Sequence, residues 1–522
     1  MNQYFMGIVQ NSGSIGVWSL ESETGEIIRG KGVSRLVGTI QRLKMKGKHP
    51  KIYAFDIGEY GNEILEECAR RGFTIGQTGF KSATAFIMSS RDWFNISVGF
   101  ATIQNARLMF SHNYPQLRKM VDKSPEEETV ERMAHNVRML VEIVRAEGFR
   151  GDTIATAVWN KFAGQFDKSQ YTTLFPRLDS YTDEKIRLAY AGAFVYCIPG
   201  EYRNVLRLDI NSAYPWAMSS RPLPYDVPEW GEGKYKHDSA FPLYIQYFVC
   251  NFKIKPGKVP FLMIQNNYLY NPFERIRESV EPTFLAMCSV DFELFFDCYE
   301  VYAVHYVGFY KFRQSNDIFT PIVSELMEMK NAGDPVKKQR AKDYATALYG
   351  KPAQSPEKEA ISPVMTDSGI QYRKIETPPK TAIYAPLSVF TSAYVRAHLV
   401  RAVCANFDRV IYADTDSLHL LGWDTPEGIP IDPARLGAWK IEAYEKRARY
   451  LKMKCYITEE CKTPTGKFKT VAKAAGFPKS AHDKITWENF HYGTTFTGPR
   501  KEKRFKGGTV EIMGEYTITP PD

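Results

Sequence analysis

No run of 18 or more apolar residues occurs in this chain, so no segment is long enough to cross a bilayer as a helix. No CxxC pair occurs either. The eight cysteines, at 68, 197, 250, 288, 298, 404, 455 and 461, are scattered. That pattern points to a reducing compartment and away from a zinc site or a disulfide framework. Internal repeats and low-complexity tracts are missing, and the start, MNQYFMGIVQNSG, lacks the basic residues and apolar run of a signal peptide. A large excess of one charge sign is also lacking. The net charge of +9 is modest for 522 residues; it suits a nucleic-acid binder without requiring one. Acids are locally missing too, since residues 1–20 contain no Asp or Glu.

What is present is ordinary globular material, 44% hydrophobic and 24% charged, with Tyr (31) and Phe (32) plentiful. A chain of 522 residues outgrows a single core, so two or more domains are expected. Residues 1–30 alternate apolar runs with turn signals (QNSGS, SETGE) and read as a β-meander. Residues 34–47 and 60–72 read as amphipathic helices around a strand at 50–56, and EEETVERMAHNVRMLVEIVRAEG as a long closing helix. RGDTIATAVWNKFAGQFDKSQ reads as the connection to a second region, rich in strands and Pro/Gly corners from about residue 170. Two helices, 316–330 and 335–349, flank NAGDP, and the last forty residues read as a short helix, ITWENF, followed by strands.

Two acidic corners carry the chemistry. VLRLDINSAYPWAM runs an apolar strand into Asp209, turns, and starts a helix at Pro215, where a missing N–H costs nothing. RVIYADTDSLHLLGW reads as a hairpin with Asp414 and Asp416 at its tip. If the two corners converge, three carboxylates share one volume. Two carboxylates ~4 Å apart repel by about 4 kcal/mol at an effective dielectric of 20, so a cation must hold them. All-oxygen ligands select a hard ion, here Mg²⁺. Two such ions about 4 Å apart can activate a 3′-hydroxyl and stabilise departing pyrophosphate. Taken alone, DTD also reads as a plain surface turn.

A second constellation lies on the helix 335–349. Lys338, Lys342, Thr346 and Tyr349 recur every three to four residues and line one face, and Lys330 on the preceding helix can reach the same place. Seven residues of helix rise roughly 10 Å, about the distance from a nucleotide's triphosphate to its base. The lysines would neutralise phosphate and the ring would pack on the base pair. Gly350 ends this helix and lets another backbone approach. The bland alternative is a solvated basic face with Tyr349 in the core.

DINSAYP, KDYATALYG and YADTDS resemble, in order, the three polymerase motifs of family B DNA polymerases. More narrowly, the chain resembles the protein-primed polymerases of small Bacillus podoviruses. MSSRPLPY, FPLYIQ, YGKPAQSPEK, KCYITEE and WENFHYG extend the resemblance over residues 170–522. It implies an α+β multidomain right hand with palm, fingers and thumb, preceded by an RNase H-like exonuclease-type domain. The implied division is 1–165 for that domain, 170–220 and 381–478 for the palm, 317–353 for the fingers and 479–522 for the thumb. Residues 221–316 resemble an insertion that docks a priming terminal protein, and 354–380 a hairpin that closes a ring around DNA for processivity and strand displacement.

The resemblance also implies roles. Asp209, Ile210 beside it in DINSAYP, and Asp416 are the metal set, and Asp414 supports them. Tyr214 is a steric gate against ribose; Lys330, Lys338, Lys342, Thr346 and Tyr349 hold the incoming nucleotide. Lys454 and Tyr456 match a KxY motif that grips the primer; Tyr190 and Gly192 match a template motif, YxGG. Ser212, Gly350 and Arg396 complete the expected DNA contacts. The implied cofactor is a pair of Mg²⁺ ions, replaceable by Mn²⁺. The implied partners are primer–template DNA, dNTPs and a terminal protein, for a monomer in the cytoplasm of a bacterial cell. Two positions depart from the family pattern: Ala193 replaces the second template glycine and Thr346 an Asn.

The first region departs further. Proofreading chemistry needs carboxylates on two metals, begun by a DxE pair on the first strand. That strand is acid-free here, Tyr60 of YAFDIGEYGNEIL stands where an acid is expected, and Met133 and Val137 replace a tyrosine and an aspartate. The expectation is a retained fold without exonuclease activity. Glu21 and Glu23 of SLESETG, or Asp56, are the acids left to supply a displaced site. A reverse transcriptase is the rival enzyme reading, and a catalytically inactive DNA-binding subunit the rival outside enzymes.

Overall fold

The computed structural model describes residues 3–11, 14–45, 50–54, 60–75, 82–87, 94–98, 101–109, 129–151, 153–264, 268–270, 274–356, 360–375, 382–477, 479–504 and 508–520. Asp56, together with 357–359 and 376–380 of the hairpin insertion, lies outside them. Among the described residues no helix is long and apolar enough to cross a membrane.

The first region opens with the expected meander. Gln3–Asn11, Ser14–Ser22 and Ile27–Lys31 pair antiparallel, and Gln3–Asn11 also pairs in parallel with Lys51–Ala54, itself parallel to Ala101–Asn105. Helices Val33–Met45 and Gly61–Arg70 bring Leu36, Val37, Ile40, Ile64 and Leu65 into one core with Met6 and Trp18. The closing helix, Val130–Ala146, starts at Thr129, whose side chain accepts from the Arg132 N–H, and packs on the first two strands.

The stretch read as a connection is instead structure. Thr153 and Asp167 cap helices Ile154–Ala163 and Lys168–Leu174, the latter with a capping box. Trp159, Phe162 and Phe175 bury themselves against Phe319 and Tyr384 of the second region. Aromatic burial overrides the polar look of the segment; rings of this kind contribute about 1.5–3 kcal/mol each.

The second region centres on a seven-stranded sheet. In its middle, Gly200–Ile210 pairs antiparallel with Trp439–Lys452 on one side and Ser417–Leu421 on the other. Alternation decides the faces. Leu206, Leu208 and Ile210 are buried with Leu418 and Leu420 against the helix Pro386–Ala405, through Val395, Leu399 and Val403. Arg207 and Asp209 therefore face the opposite way, into the cleft. The adjacent helix begins at Ala213, two residues before the expected start, so Pro215 is its third residue. Proline is still tolerated, because the first four N–H groups of a helix have no partner within it.

Across the cleft, Thr320–Asn331 and Pro335–Gly350 form the helix pair around NAGDP. Asp334 caps the second helix through its carboxylate and Pro335 opens it. Residues 221–316 build a four-stranded sheet with the helix Ser289–Cys298, and Ala360–Thr366 pairs with Gly369–Ile375 as a hairpin. In the tail, ITWENF is a turn rather than a helix; the short helix is Lys479–His482, and Thr495–Arg504 pairs with Gly508–Thr517. Asn489 forces the turn, its side chain bonding the Thr486 N–H and the Lys484 carbonyl in place of a helical ladder.

Candidate active site

The two acidic corners meet. The Ile210 N–H donates to the Asp416 carbonyl at 2.8 Å, which ties the strand carrying Asp209 to the tip of the hairpin Val410–Asp414/Ser417–Leu421. Both corners are held in uncommon backbone: Ser212 sits at φ +52 and Thr415 at φ +60. For a β-branched residue that is strained, and the tip is pinned by the Thr415 N–H on the Phe194 carbonyl at 2.9 Å. Asp209 and Asp416 then line one cavity of about 270 Å³ with Ile210, Ser212, Tyr214, Lys330, Lys342, Thr346 and Lys440.

The third carboxylate does not join them. Asp414 receives Lys454 Nζ at 2.7 and 2.8 Å, the Tyr412 hydroxyl at 3.1 Å and the Thr415 hydroxyl at 2.9 Å. Its oxygens are committed to those donors. Among the described residues no three His, Cys, Asp or Glu side chains are arranged to hold a metal. Asp414 acts through its field: burial first, then the charges of Asp209 and Asp414, push Asp416 up to about 7. Asp209 is also raised, chiefly by burial, against the pull of Lys440. A cation placed between the two acids would relieve the cost of their charge. A pair of carboxylates whose remaining ligands come from substrate phosphate and water is the usual way proteins hold Mg²⁺.

The basic helix face is as expected. Lys338, Lys342 and Thr346 are exposed on the cleft side of Pro335–Gly350, while Arg340, Tyr344 and Leu348 are buried on the other. Lys330 Nζ donates to the Ser212 hydroxyl, joining this wall to the strand corner. Burial, then Lys440, Lys342 and Lys338, pull Lys330 below the ordinary lysine range. Tyr349 stacks on Tyr214 with ring centres 3.7 Å apart and planes 3° apart, and burial raises both phenols. Tyr190 stands partly exposed. Gly192 and Gly350 have open space where a side chain would begin, so the protein's own packing does not demand glycine at either. Tyr456 is largely buried among Tyr412, His419 and Tyr450 yet borders the cleft.

Arg396 is not a DNA contact in this structure. It is 2% exposed, and its donors go to Asp291 and to the carbonyls of Ala191 (2.8 Å) and Gly192 (2.7 Å). It holds the backbone of residues 191–192. Two groups were missed in the sequence. Lys440 pairs with Asp209 at 2.6 Å, and buried Arg207 pairs with Glu460 at 2.6 Å and Glu445 at 3.2 Å. Alternation in WKIEAYEK puts Lys440 and Glu442 on one face, but only the strand register shows that the face is Asp209's.

In the first region the first strand lies tight against the closing helix. A Cβ at Gly7 would lie 2.0 Å from the Val130 carbonyl and 2.8 Å from Met133 Cβ, so strand and closing helix touch backbone to backbone. Val137 is 2% exposed. Glu21 is buried against Arg138 at 2.8 Å and His135 at 3.2 Å, while Glu23 is exposed and apart from it.

Comparison with known proteins agrees with this geometry. The family described as "DNA polymerase type B, organellar and viral" matches residues 131–430. The DNA polymerase of Bacillus phage Nf is 35% identical over 372 residues, covering 67% of this chain and 64% of that protein. The DNA polymerase of Bacillus phage phi29 is 33% identical over 369 residues with the same shares. The matched part thus spans a little under two thirds of these relatives. Among solved structures, phi29 DNA polymerase complexed with primer–template DNA and incoming nucleotide superposes with a TM-score of 0.89 at 24% identity, covering 99% of this chain and all of that one. The right-hand fold is therefore shown over nearly the whole chain, and the chain belongs to the type B DNA polymerases of the organellar and viral kind.

Proposed function

We propose that this chain is a template-directed DNA polymerase that adds dNTPs to a 3′-hydroxyl with two Mg²⁺ ions. One observation carries the reading: Asp209 and Asp416, tied together through Ile210, face Lys330 and Lys342 across a single cavity. Asp209, Asp416 and the backbone at Ile210 would hold the ions, which supply activation of the hydroxyl and neutralisation of the leaving pyrophosphate. The chain's own side chains do the rest. Lys330, Lys338 and Lys342 bind and orient the triphosphate. Tyr214 and Tyr349 part to admit a base, after which Tyr214 fills the space a ribose 2′-hydroxyl would need. Lys454, locked on Asp414, presents the primer strand, and Tyr190 with the 191–192 backbone guides the template.

Three further parts of the reading rest on named contacts. Ile370 of the hairpin insertion is 1% exposed within the first region's core, which supports a ring closed around DNA, processive synthesis and strand displacement. Trp230, Phe284, Tyr302 and Val307 leave an exposed apolar surface on the 221–316 insertion, which suits docking of a priming protein. The closed contact at Gly7 supports a polymerase without proofreading. The test is extension of a labelled primer–template with dNTPs and Mg²⁺, with and without a downstream strand. Metal-dependent extension through the duplex is expected; no extension on the open template would reject the reading.

A further inference from the structure

Lys440 is absent from the roles above, yet it is the cation nearest Asp209. The sheet puts it there. Asp209 and Lys440 are direct cross-strand partners in the Gly200–Ile210/Trp439–Lys452 pair, and Lys440 Nζ lies 2.6 Å from Asp209 Oδ2. The pair is partly open to solvent, 30% and 22% exposed, and pairs of that kind contribute only about 0–1 kcal/mol to stability. Stability alone therefore does not account for it. Glu442, on the same face, is engaged by Lys462 at 3.0 Å.

Lys440 also borders a larger cavity of about 1160 Å³, together with Lys330, Lys338 and Lys342 on the opposite wall. Of the charges that pull Lys330 down, that of Lys440 is the largest. Four ammonium groups converging on one space repel one another until an anion joins them. A deoxynucleoside triphosphate brings roughly four negative charges and two divalent ions about four positive ones. With Asp209 and Asp416 added, the filled site is left about two charges negative, a deficit for lysines to meet.

We propose that Lys440 is a nucleotide-binding residue of the palm: it neutralises Asp209 while the site lacks metal and nucleotide, and transfers its ammonium to the triphosphate when they bind. This rests on the polymerase reading. The flexible four-carbon stem allows the move, and the carboxylate it leaves is the one a metal needs. Palm and fingers thus grip the phosphates from opposite sides. The same contact guards the empty site, because a metal arriving without nucleotide must displace an ammonium that has no phosphate to receive it.

The test uses the full chain as wild type, Lys440→Ala, Lys440→Arg and Asp209→Asn. Free Mn²⁺ is titrated by electron paramagnetic resonance without nucleotide. A complementary dNTP is titrated onto enzyme carrying a dideoxy-terminated primer–template with Ca²⁺. Lys440→Ala should bind Mn²⁺ about tenfold more tightly and the dNTP about tenfold more weakly, with KM rising more than kcat falls. Lys440→Arg should recover most of the nucleotide affinity. Unchanged Mn²⁺ and dNTP affinities in Lys440→Ala would show a merely structural ion pair and overturn the proposal. Tighter Mn²⁺ binding with unaltered dNTP binding would overturn the phosphate contact. Asp209→Asn separates the two levels: if it binds Mn²⁺ as wild type does, the metal assignment itself fails, whatever Lys440 does.

Discussion

The first region and the palm are both built on a sheet packed against helices, and they differ in what stands beside a central strand. In the palm, Asp209 projects into a cavity with Asp416, Lys330 and Lys342. In the first region, Gly7 lies so close to Val130 and Met133 that no side chain fits. Glu21, one strand over, is paired with Arg138 and lies beside His135. The contrast teaches that the sheet and the carboxylate site are separable. The first region's core of Met6, Trp18, Leu36 and Ile64 needs no acids to form.

What the first region keeps is contact with the catalytic half. Phe149 stacks on Tyr344 of the fingers helix at 3.8 Å, Arg340 pairs with Glu147 at 2.6 Å, and Lys161 pairs with Glu325. Ile370 anchors the hairpin insertion on the same region. These contacts hold the fingers lysines opposite the palm acids. The first region thus helps to set the geometry of the palm site through these contacts.

The comparison can be broken most directly by neutralising one acid on each side. Asp416→Asn should lower single-nucleotide incorporation on the order of 10³-fold, the scale of losing a group that acts on transition-state charge. Glu21→Gln should leave it within about twofold, since it touches no part of the palm cavity. Comparable losses in both would make the first region part of the reaction.

A smaller effect concerns pH. Because Asp416 stands at about 7 when folded and near the ordinary carboxylate value when unfolded, its protonated form favours the metal-free fold. That contribution is complete below about pH 4, declines as pH rises toward 7, and is gone above it, up to about 4 kcal/mol in all. Denaturant titrations of metal-free protein between pH 4 and 8 should show the decline. Asp416→Asn should flatten it, and a wild-type curve already flat would disprove the burial of charge.

Gly7→Ala sharpens the other side. With no room for the methyl, strand and helix must separate, at a cost of about 1–3 kcal/mol. Limited proteolysis should show the first region opening earlier; unchanged protection would mean the contact is looser than described. The smallest expected effect is none at all. A 3′-labelled single strand with Mg²⁺ or Mn²⁺ and no dNTPs should stay intact, in wild type and in Glu21→Ala/Glu23→Ala alike. Trimming by wild type that the double substitution removes would restore a displaced proofreading site.

Local periodicity and turn chemistry were enough to read the meander, the long closing helix, the DTD hairpin and the Lys338–Lys342–Thr346 face. Each is decided by residues within one or two turns of each other. The strand into Asp209 was readable for the same reason, and the type B motifs placed it opposite the hairpin. Other features depended on partners distant in sequence. Asp414 is given to Lys454, Asp209 to Lys440 and Arg396 to Asp291 by sheet register and helix packing, which no short window contains. Trp159 and Phe162 turned an apparent connection into core because their apolar partners lie in another region. The sequence showed that the first strand lacks acids; only the packing of Val130–Ala146 on that strand showed how closely Gly7 meets the helix. Side-chain type sets what a residue can do, but burial and register choose the partner, and the partner decides whether a carboxylate binds metal, pairs with an ammonium or is not needed at all.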